Sequence, residues 1–303
     1  MTAQSLTRRT LLASAGAAAA LPAFAQDSPL AMGTIPSTNE TVPAIGMGTW
    51  LTFDVGENET LRAQRTSVLA RFFEMGGRVV DSSPMYGSAQ SVVGEALSRL
   101  GRTNDVFAAD KVWISGGENG PAQITETRAR WGVDRFNLLQ VHNLVSWRAH
   151  LETLFAMKAD GRLGLVGVTS YSGLRYDAIA QIMENHPIDF IQITYNIADR
   201  EAEIRLLPLA AERGIAVIAN RPFREGALID YVNRFPLPDM APAIGAENWA
   251  QFLLKFIISH PALTIAIPAT RRVDHMSENM GAMRGPLPDA RQRRAMIDAF
   301  EGL

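Results

Sequence analysis

Residues Val79–Leu97 read Val-Val-Asp-Ser-Ser-Pro-Met-Tyr-Gly-Ser-Ala-Gln-Ser-Val-Val-Gly-Glu-Ala-Leu. The stretch opens with a β-branched run that ends on Asp81, and it continues with a turn that contains Pro84 and Gly87. Tyr86 lies inside that turn, and the apolar spacing of the residues behind it predicts an amphipathic helix. A carboxylate at a strand end and a phenol five residues later can point into one pocket. The stretch therefore predicts a strand, a loop that carries functional groups, and a helix.

The same alternation of short apolar runs and helical patterns continues along the chain. Strands are predicted at residues 45–50, 79–81, 106–111, 136–142, 165–170, 190–196, 215–220 and 263–268. Helices are predicted at residues 61–75, 88–100, 122–131, 147–160, 174–185, 201–213, 246–259 and 275–283, with a closing C-terminal helix at residues 289–300. Strands that are apolar on both faces and are each followed by a helix indicate an α/β fold, a single (β/α)₈ TIM barrel.

An open doubly wound sheet is the alternative architecture. No G-x-G-x-x-G motif follows the first predicted strand, which counts against the dinucleotide-binding version of that fold. No low-complexity linker separates a second domain. Residues 33–42 predict a small N-terminal hairpin that covers the floor of the barrel.

Composition excludes several classes of function. The chain has 303 residues, of which 47% are hydrophobic and 20% charged, as is usual for a soluble globular protein. The net charge is -2, and no basic block follows the N-terminus, so nucleic-acid binding is disfavoured. The chain contains no cysteine, which excludes disulfides, thiolate catalysis and cysteine metal sites. No metal site is predicted.

The N-terminus has the pattern of an export signal. Arg8 and Arg9 precede an Ala-rich apolar run at residues 13–21, and an Ala-x-Ala cleavage site at residues 23–25 follows. Paired arginines are typical of a twin-arginine signal, and the apolar run is too short for a good membrane span. We therefore expect residues 1–25 to be a signal peptide read by the twin-arginine export machinery. Residues 26–303 are then an exported, periplasmic barrel domain without a membrane span. An uncleaved N-terminal helix or anchor is the alternative.

Four ionisable side chains are predicted to meet at one rim of the barrel. Asp81, Lys111 and His142 end the second, third and fourth strands, and Tyr86 follows the second. Barrel enzymes carry their catalytic groups at these strand ends. A cation beside a phenol favours the phenolate, so we expect Lys111 to lower the pKa of Tyr86 and make it a proton donor and acceptor. Each residue alone could instead be structural: a turn cap, a rim aromatic, an ion pair or a core histidine.

The residues around these four positions resemble the aldo-keto reductases, and the resemblance spans the mature chain. Asp81 to Leu97 is similar to the family signature Asp-x-Ala-x-x-Tyr-Gly. Ala-Asp-Lys-Val-Trp around Lys111 and Leu-Gln-Val-His-Asn around His142 are similar to its third and fourth catalytic motifs. The resemblance implies that Tyr86 is the general acid, that Lys111 pairs with Asp81, and that His142 positions the carbonyl. The implied reaction is hydride transfer from a nicotinamide to a carbonyl, without a metal.

The resemblance also implies a nucleotide cofactor, NADP, with NAD as the alternative. The residues that it assigns to the cofactor are Gly48, Thr49, Thr169, Ser170, Gln192, Asn220, Arg221, Thr270, Arg271, Arg272 and Asn279. Ser170 stands in place of the usual asparagine, and Asn220 in place of the aromatic that stacks under the nicotinamide. Arg271 and Arg272 follow the eighth strand, where barrels commonly bind phosphate, and guanidinium groups suit a 2′-phosphate. A solvated basic helix start is the alternative interpretation of these two arginines.

The substrate is expected to be a small-molecule aldehyde or ketone. Trp50 and Trp113 match pocket-lining aromatics at the ends of the first and third strands, although either could belong to the core. The loop at residues 224–246 is long and rich in proline, and such loops often shape specificity. Two other functions remain open. One is a redox-sensing or regulatory subunit with little turnover, which the altered Asn220 position motivates. The other is a Schiff-base lyase that uses Lys111, against which the surrounding set of residues argues.

Overall fold

The computed structural model describes residues 29–171 and 173–303, so the signal predicted at residues 1–25 lies outside the described residues. The strands of the described part are β1 Met32–Ile35, β2 Glu40–Pro43, β3 Met47–Gly48, β4 Val79–Asp81, β5 Phe107–Val112, β6 Leu138–His142, β7 Leu165–Thr169, β8 Phe190–Thr194, β9 Ala216–Asn220 and β10 Ile265–Ala266. The α-helices are α1 Glu59–Glu74, α2 Ala89–Leu100, α3 Gly120–Trp131, α4 Trp147–Ala159, α5 Tyr176–Asn185, α6 Leu206–Arg213, α7 Ala227–Val232, α8 Trp249–Ile258, α9 Val273–Gly281 and α10 Ala290–Glu301. Short 3₁₀ turns lie at Gly117–Asn119, Glu201–Glu203, Arg224–Gly226 and Ala241–Ile244.

The eight strands from β3 to β10 form one parallel sheet in sequence order. The sheet closes because its first and last strands meet through parallel bridges, Ile45 with Ala266 and Gly48 with Ala269. Gly48 permits this approach, since a Cβ at its position would lie 2.8 Å from the carbonyl oxygen of Ile267. The predicted (β/α)₈ barrel is confirmed, and the open sheet is excluded.

The floor of the barrel is filled by apolar side chains of the strands, many of them at the first residue of a strand. This cluster contains Val79, Phe107, Ala109, Leu138, Leu165, Phe190, Ala216, Ile218, Ile265 and Ile267 together with Ile35 and Val42 of the hairpin. Strands β1 and β2 are antiparallel, and their inward residues Ile35 and Val42 are completely buried. The hairpin therefore closes the floor as predicted, and the opposite end is left for polar groups.

Two predicted segments differ in kind from the observed ones, and others, such as the strands expected at residues 45–50 and 263–268, are shorter than predicted. The helix expected at residues 201–213 is a 3₁₀ turn followed by α6, because Pro208 has no N–H and its ring would clash with the carbonyl of Ile204 in a continuous helix. The loop expected at residues 224–246 contains α7, which spans only six residues. A helix of six residues is too short for the helical spacing of apolar residues to be recognised in the sequence.

None of the helices in the described ranges is both long and apolar enough to cross a membrane. The same ranges contain no cluster of three or more histidine and carboxylate side chains suited to a metal ion. Asp81, Lys111 and His142 lie at or next to the carboxyl ends of β4, β5 and β6.

Candidate active site

A buried ion pair joins the ends of β4 and β5. Lys111 Nζ lies 2.5 Å from Asp81 Oδ2 and donates to the carbonyl oxygen of Ser82 at 2.7 Å. Both charged side chains are almost inaccessible to solvent, at 0% and 2%. Burial lowers the pKa of Lys111, but the negative charge of Asp81 and the neighbouring Tyr86 outweigh it, so the net pKa is raised. Lys111 therefore remains a cation.

Two glutamines hold the free oxygen of that carboxylate. Gln192 Nε2, from β8, donates to Asp81 Oδ1 at 2.9 Å, and Gln140 Nε2, from β6, approaches the same atom at 3.4 Å. Lys111 Nζ donates to the other oxygen, Asp81 Oδ2. A buried carboxylate is tolerated when both oxygens are paired in this way, so three strands fix the position of Asp81.

Tyr86 lies in the turn between β4 and α2, and a local network fixes that turn. Gly87 adopts a left-handed conformation, with φ of 58°, and a Cβ there would lie 2.4 Å from Asp54 Oδ1. The same Asp54 oxygen accepts from the backbone N–H of Ser88 at 2.9 Å and from its hydroxyl at 2.8 Å. The turn brings the Tyr86 ring centroid to 5.0 Å from Lys111 Nζ.

The prediction that Tyr86 has a lowered pKa is wrong. Burial raises the pKa of Tyr86 to about 12, and the positive charge of Lys111 only partly offsets this. Burial is the main cause, and the negative charge of Asp81, which pairs with the same cation, raises the pKa of the phenol further. Tyr86 therefore holds its proton at neutral pH, which suits a proton donor and not a resting phenolate.

His142 ends β6 and packs against the same phenol. Its ring meets the ring of Tyr86 edge-on, with centroids 5.7 Å apart and planes at 87°. Burial, and then the positive charge of Lys111, place the pKa of His142 well below its ordinary value. The imidazole is thus neutral, and its Nδ1 lies 2.8 Å from the hydroxyl oxygen of Ser83. Its Nε2 makes no hydrogen bond within the described residues. All four residues predicted as catalytic are brought together.

The residues expected to hold the nicotinamide lie at the ends of β7, β8 and β9. Thr169 and Gln192 face each other, with 3.4 Å between the threonine hydroxyl and Gln192 Oε1. Asn220 Oδ1 accepts from the Thr194 hydroxyl at 2.9 Å, and its Nδ2 donates to the Ser170 carbonyl at 3.0 Å. Asn220 therefore ties the three strand ends together, where an aromatic side chain would offer a stacking surface.

Two residues expected at the cofactor have structural partners of their own. The Thr49 hydroxyl is fully buried and lies 2.9 Å from the Asp81 carbonyl oxygen and 3.0 Å from the Ser82 hydroxyl, so it faces β4. Arg221 pairs with Glu225 at 2.7 Å and lies 5.7 Å from the ring centroid of Tyr171. Arg221 thus joins the loops after β7 and β9.

The two arginines after β10 differ in their surroundings. Arg272 is exposed and forms a two-pronged ion pair with Asp274 in the first turn of α9. Arg271 is also exposed, but it has no ion pair within the described residues. Thr270 and Asn279, at the two ends of this segment, are buried. Arg271 is therefore the cation of this segment that remains open to an anion.

The two tryptophans expected at the substrate pocket lie on the rim. The Trp50 ring centroid is 6.3 Å from that of Tyr86, with planes tilted by 36°. Trp113 is 40% exposed, and its backbone is held by two hydrogen bonds to the amide of Gln123. Trp50 contacts the phenol directly, and Trp113 is an exposed aromatic at the end of β5.

Three further residues of this region are absent from the sequence-based set. Ser83 contacts His142, and Gln140 contacts Asp81. Arg65 of α1 is 6% exposed, donates to the Thr52 carbonyl, and has its pKa lowered by burial and by the charge of Arg271. Of the three, only Ser83 could have been singled out from the sequence, because it stands where the signature Asp-x-Ala-x-x-Tyr-Gly has alanine.

The pKa of Tyr86 can be tested by ultraviolet titration of the phenols. We expect wild-type protein and Tyr86→Phe to develop the same tyrosinate absorbance up to about pH 10, because a phenol with a pKa near 12 ionises only above that range. Far-ultraviolet circular dichroism at each pH verifies that the fold is intact. Extra tyrosinate in the wild type below pH 9 would contradict the raised pKa.

Comparison with known proteins places the chain in a family. A family model described as "Aldo/keto reductase family" matches residues 44–299. Methylglyoxal reductase YeaE of Escherichia coli K12 is 28% identical over 271 residues, covering 86% of this chain and 92% of the relative. The NADH-specific methylglyoxal reductase of the same strain is 22% identical over 328 residues, covering 88% of this chain and 98% of the relative.

A solved structure shares the fold. It is an aldo/keto reductase from Klebsiella pneumoniae in complex with NADP and acetate, with a TM-score of 0.74 and 24% identity over 88% of this chain and 95% of that chain. The family model covers the barrel from before β3 into α10. The chain belongs to the aldo/keto reductase family, a family of oxidoreductases.

Proposed function

We propose that this protein reduces an aldehyde or ketone to an alcohol, with NADPH as the hydride donor and Tyr86 as the proton donor. The observation that carries the proposal is the position of Tyr86. The phenol is protonated, lies beside the cation of the buried Lys111–Asp81 pair, and is in contact with the neutral imidazole of His142. A protonated donor next to a fixed cation suits the protonation of a developing alkoxide.

In the proposed reduction, side chains of the protein supply the proton that the carbonyl oxygen gains. The bound nicotinamide supplies a hydride to the carbonyl carbon. As the carbonyl oxygen gains negative charge, Tyr86 gives it the phenolic proton, and the alcohol forms. Lys111 stabilises the phenolate that remains, and solvent returns the proton to it. His142, being neutral, donates a hydrogen bond to the same oxygen and orients it.

The rim offers a fitting set of groups for the cofactor. We assign the carboxamide of the nicotinamide to the ends of β7 and β8, where Thr169 and Gln192 carry hydroxyl and amide groups. Within the protein, the Ser170 hydroxyl donates to the Leu174 carbonyl at 2.6 Å, and Gln192 Nε2 donates to Asp81 Oδ1. Arg271 has no counter-ion among the described residues, so it can pair with the 2′-phosphate that distinguishes NADP from NAD. The NADP complex of the Klebsiella protein supports this assignment, although one E. coli relative is named as NADH-specific.

The names of the relatives guide the choice of substrate. Two E. coli relatives are named methylglyoxal reductases. In this chain, Trp50 lies against Tyr86 and Trp113 is exposed at the rim, so the mouth offers apolar surface to a small carbonyl compound. We propose small aldehydes, including methylglyoxal and aromatic aldehydes, as the substrate class.

A second function is favoured by one observation. Asn220 uses its amide to join Thr194 and Ser170, and it offers no aromatic surface to the nicotinamide ring. Weak holding of the ring would suit a nucleotide-binding redox sensor with little turnover. Steady-state turnover with a panel of carbonyl compounds separates the two functions, because a sensor binds NADPH without sustained oxidation.

The proton-donor role predicts the behaviour of Tyr86→Phe. Wild-type protein should oxidise NADPH in the presence of methylglyoxal or benzaldehyde, measured by loss of absorbance at the nicotinamide band. Tyr86→Phe should lower kcat by about 10³-fold, within the range for loss of a general acid, while NADPH still binds. Tyr231→Phe, in α7, is the matched control and should keep wild-type kcat. Full activity of Tyr86→Phe would refute the proton-donor role.

The difference between the two arginines predicts the cofactor preference. Arg271→Ala should raise the KM for NADPH about tenfold and leave the KM for NADH nearly unchanged, because only NADPH carries the 2′-phosphate. Arg272→Ala is the matched control, and it should have the smaller effect because Asp274 already occupies that guanidinium. Equal losses for NADPH and NADH in Arg271→Ala would contradict the assignment.

A further inference from the structure

The hydroxyl of Ser83 is fully buried in the turn between β4 and α2, and its side-chain partner is His142. Its oxygen lies 2.8 Å from His142 Nδ1 and accepts from the backbone N–H of Met85 at 3.2 Å. The hydroxyl makes no third hydrogen bond within the described residues. The family signature has alanine at this position, so the turn itself does not require a hydroxyl.

Two arrangements of protons are compatible with these distances. In one, the Ser83 hydroxyl donates to an unprotonated Nδ1, and the imidazole carries its proton on Nε2. In the other, Nδ1–H donates to the serine oxygen. That oxygen would then accept two N–H groups, from Met85 and His142, and its own proton would point into the buried turn without an acceptor.

The first arrangement is favoured by the hydrogen-bond inventory. A hydroxyl has one proton to donate and can accept through its lone pairs, and Met85 already uses its oxygen as an acceptor. Leaving a buried hydroxyl proton unpaired is costly, whereas donation to Nδ1 satisfies both groups. Burial, and then the neighbouring Lys111 cation, lower the pKa of His142 and disfavour a second proton on the ring, so the imidazole keeps only one.

We propose that Ser83 is a positioning residue that fixes His142 as the Nε2–H tautomer. With Nδ1 held by Ser83, the Nε2–H group is the donor that remains for the substrate, and the edge-on contact with Tyr86 keeps the two donors side by side. The use of this donor for a carbonyl oxygen rests on the proposed function, but the tautomer itself does not.

The tautomer matters because the wrong one repels the substrate. An imidazole protonated on Nδ1 would turn an Nε2 lone pair toward the carbonyl oxygen, which has lone pairs of its own. Neutral imidazole in water exchanges between the two forms, so a site without a partner for Nδ1 would hold part of its molecules in the unproductive form. The hydrogen bond from Ser83 to Nδ1 disfavours the form protonated on Nδ1.

Nitrogen NMR of the histidine rings tests the tautomer without any assay of activity. Long-range ¹H–¹⁵N spectra of protein labelled at its five histidines distinguish a protonated ring nitrogen from an unprotonated one. His142→Gln assigns the signals of His142. In the wild type we expect an unprotonated Nδ1 and a protonated Nε2, and in Ser83→Ala we expect a mixture of both forms.

Kinetics with NADPH and methylglyoxal supply the functional readout. Ser83→Ala should lower kcat about tenfold with a smaller change in the KM for NADPH, since the serine is fully buried in the turn. Ser83→Thr keeps the hydroxyl and should recover most of the loss. Ser82→Ala is the matched control for the NMR experiment, because the Ser82 hydroxyl contacts Thr49 and not His142. It should leave the His142 signals unchanged.

The outcomes separate this inference from the proposed function. A wild-type protein with a protonated Nδ1, or a Ser83→Ala variant with unchanged His142 signals, would overturn the role of Ser83. A wild type that reduces no carbonyl compound would overturn the proposed function, while the nitrogen signals would still decide the tautomer. A mixed tautomer in Ser83→Ala together with reduced kcat and recovery in Ser83→Thr supports both.

Discussion

The buried contact between Lys111 and Asp81 is the interaction on which the rest of the site depends. Two charges without solvent are stable together only when their geometry is good and the remaining oxygens and protons are paired. Here the glutamines of β6 and β8 and the carbonyl of Ser82 provide those partners. The ion pair thus depends on the register of β4, β5, β6 and β8, and it fixes a cation beside the phenol of Tyr86.

That arrangement gives the two neighbouring groups different tasks. Tyr86 is held protonated by burial, although a cation is close enough to stabilise the phenolate once it forms. His142 is held neutral by burial and by the same cation, which suits a hydrogen-bond donor and not an acid. Burial beside one fixed charge therefore leaves a protonated phenol and a neutral imidazole side by side, as the proposed proton donor and orienting group require.

Much of this could be predicted from the sequence, and the failures have physical causes. Strand ends at Asp81 and His142 were readable because parallel strands in a barrel are short apolar runs that end on a polar residue. The direction of the pKa shift of Tyr86 could not be predicted from the sequence. It depends on the balance between burial and two opposite charges, and that balance follows from the three-dimensional arrangement. The break before Pro208 was visible in principle, since proline is tolerated in the first turn of a helix but not in its interior, but the helical pattern on either side concealed it.

The periphery of the site was harder to predict than its centre. Arg271 and Arg272 are adjacent and identical in type, yet one is paired with Asp274 and the other has no ion pair in the described part of the chain. Asn220 was recognised as a departure from the family pattern, but its two hydrogen bonds, to Thr194 and Ser170, depend on three strands and cannot be inferred from spacing. Local patterns therefore identify the family, whereas the surroundings of the outer site residues depend on contacts between distant segments.

The central claim, that the buried ion pair holds the site together, is tested most directly by a double-mutant cycle in urea at pH 7. Lys111→Met should lower the free energy of unfolding by about 3 to 5 kcal/mol, because it leaves the Asp81 carboxylate buried without a cation. Asp81→Asn/Lys111→Met should lose clearly less than the sum of the two single variants, since the double variant buries no charge. Additive losses would contradict the account.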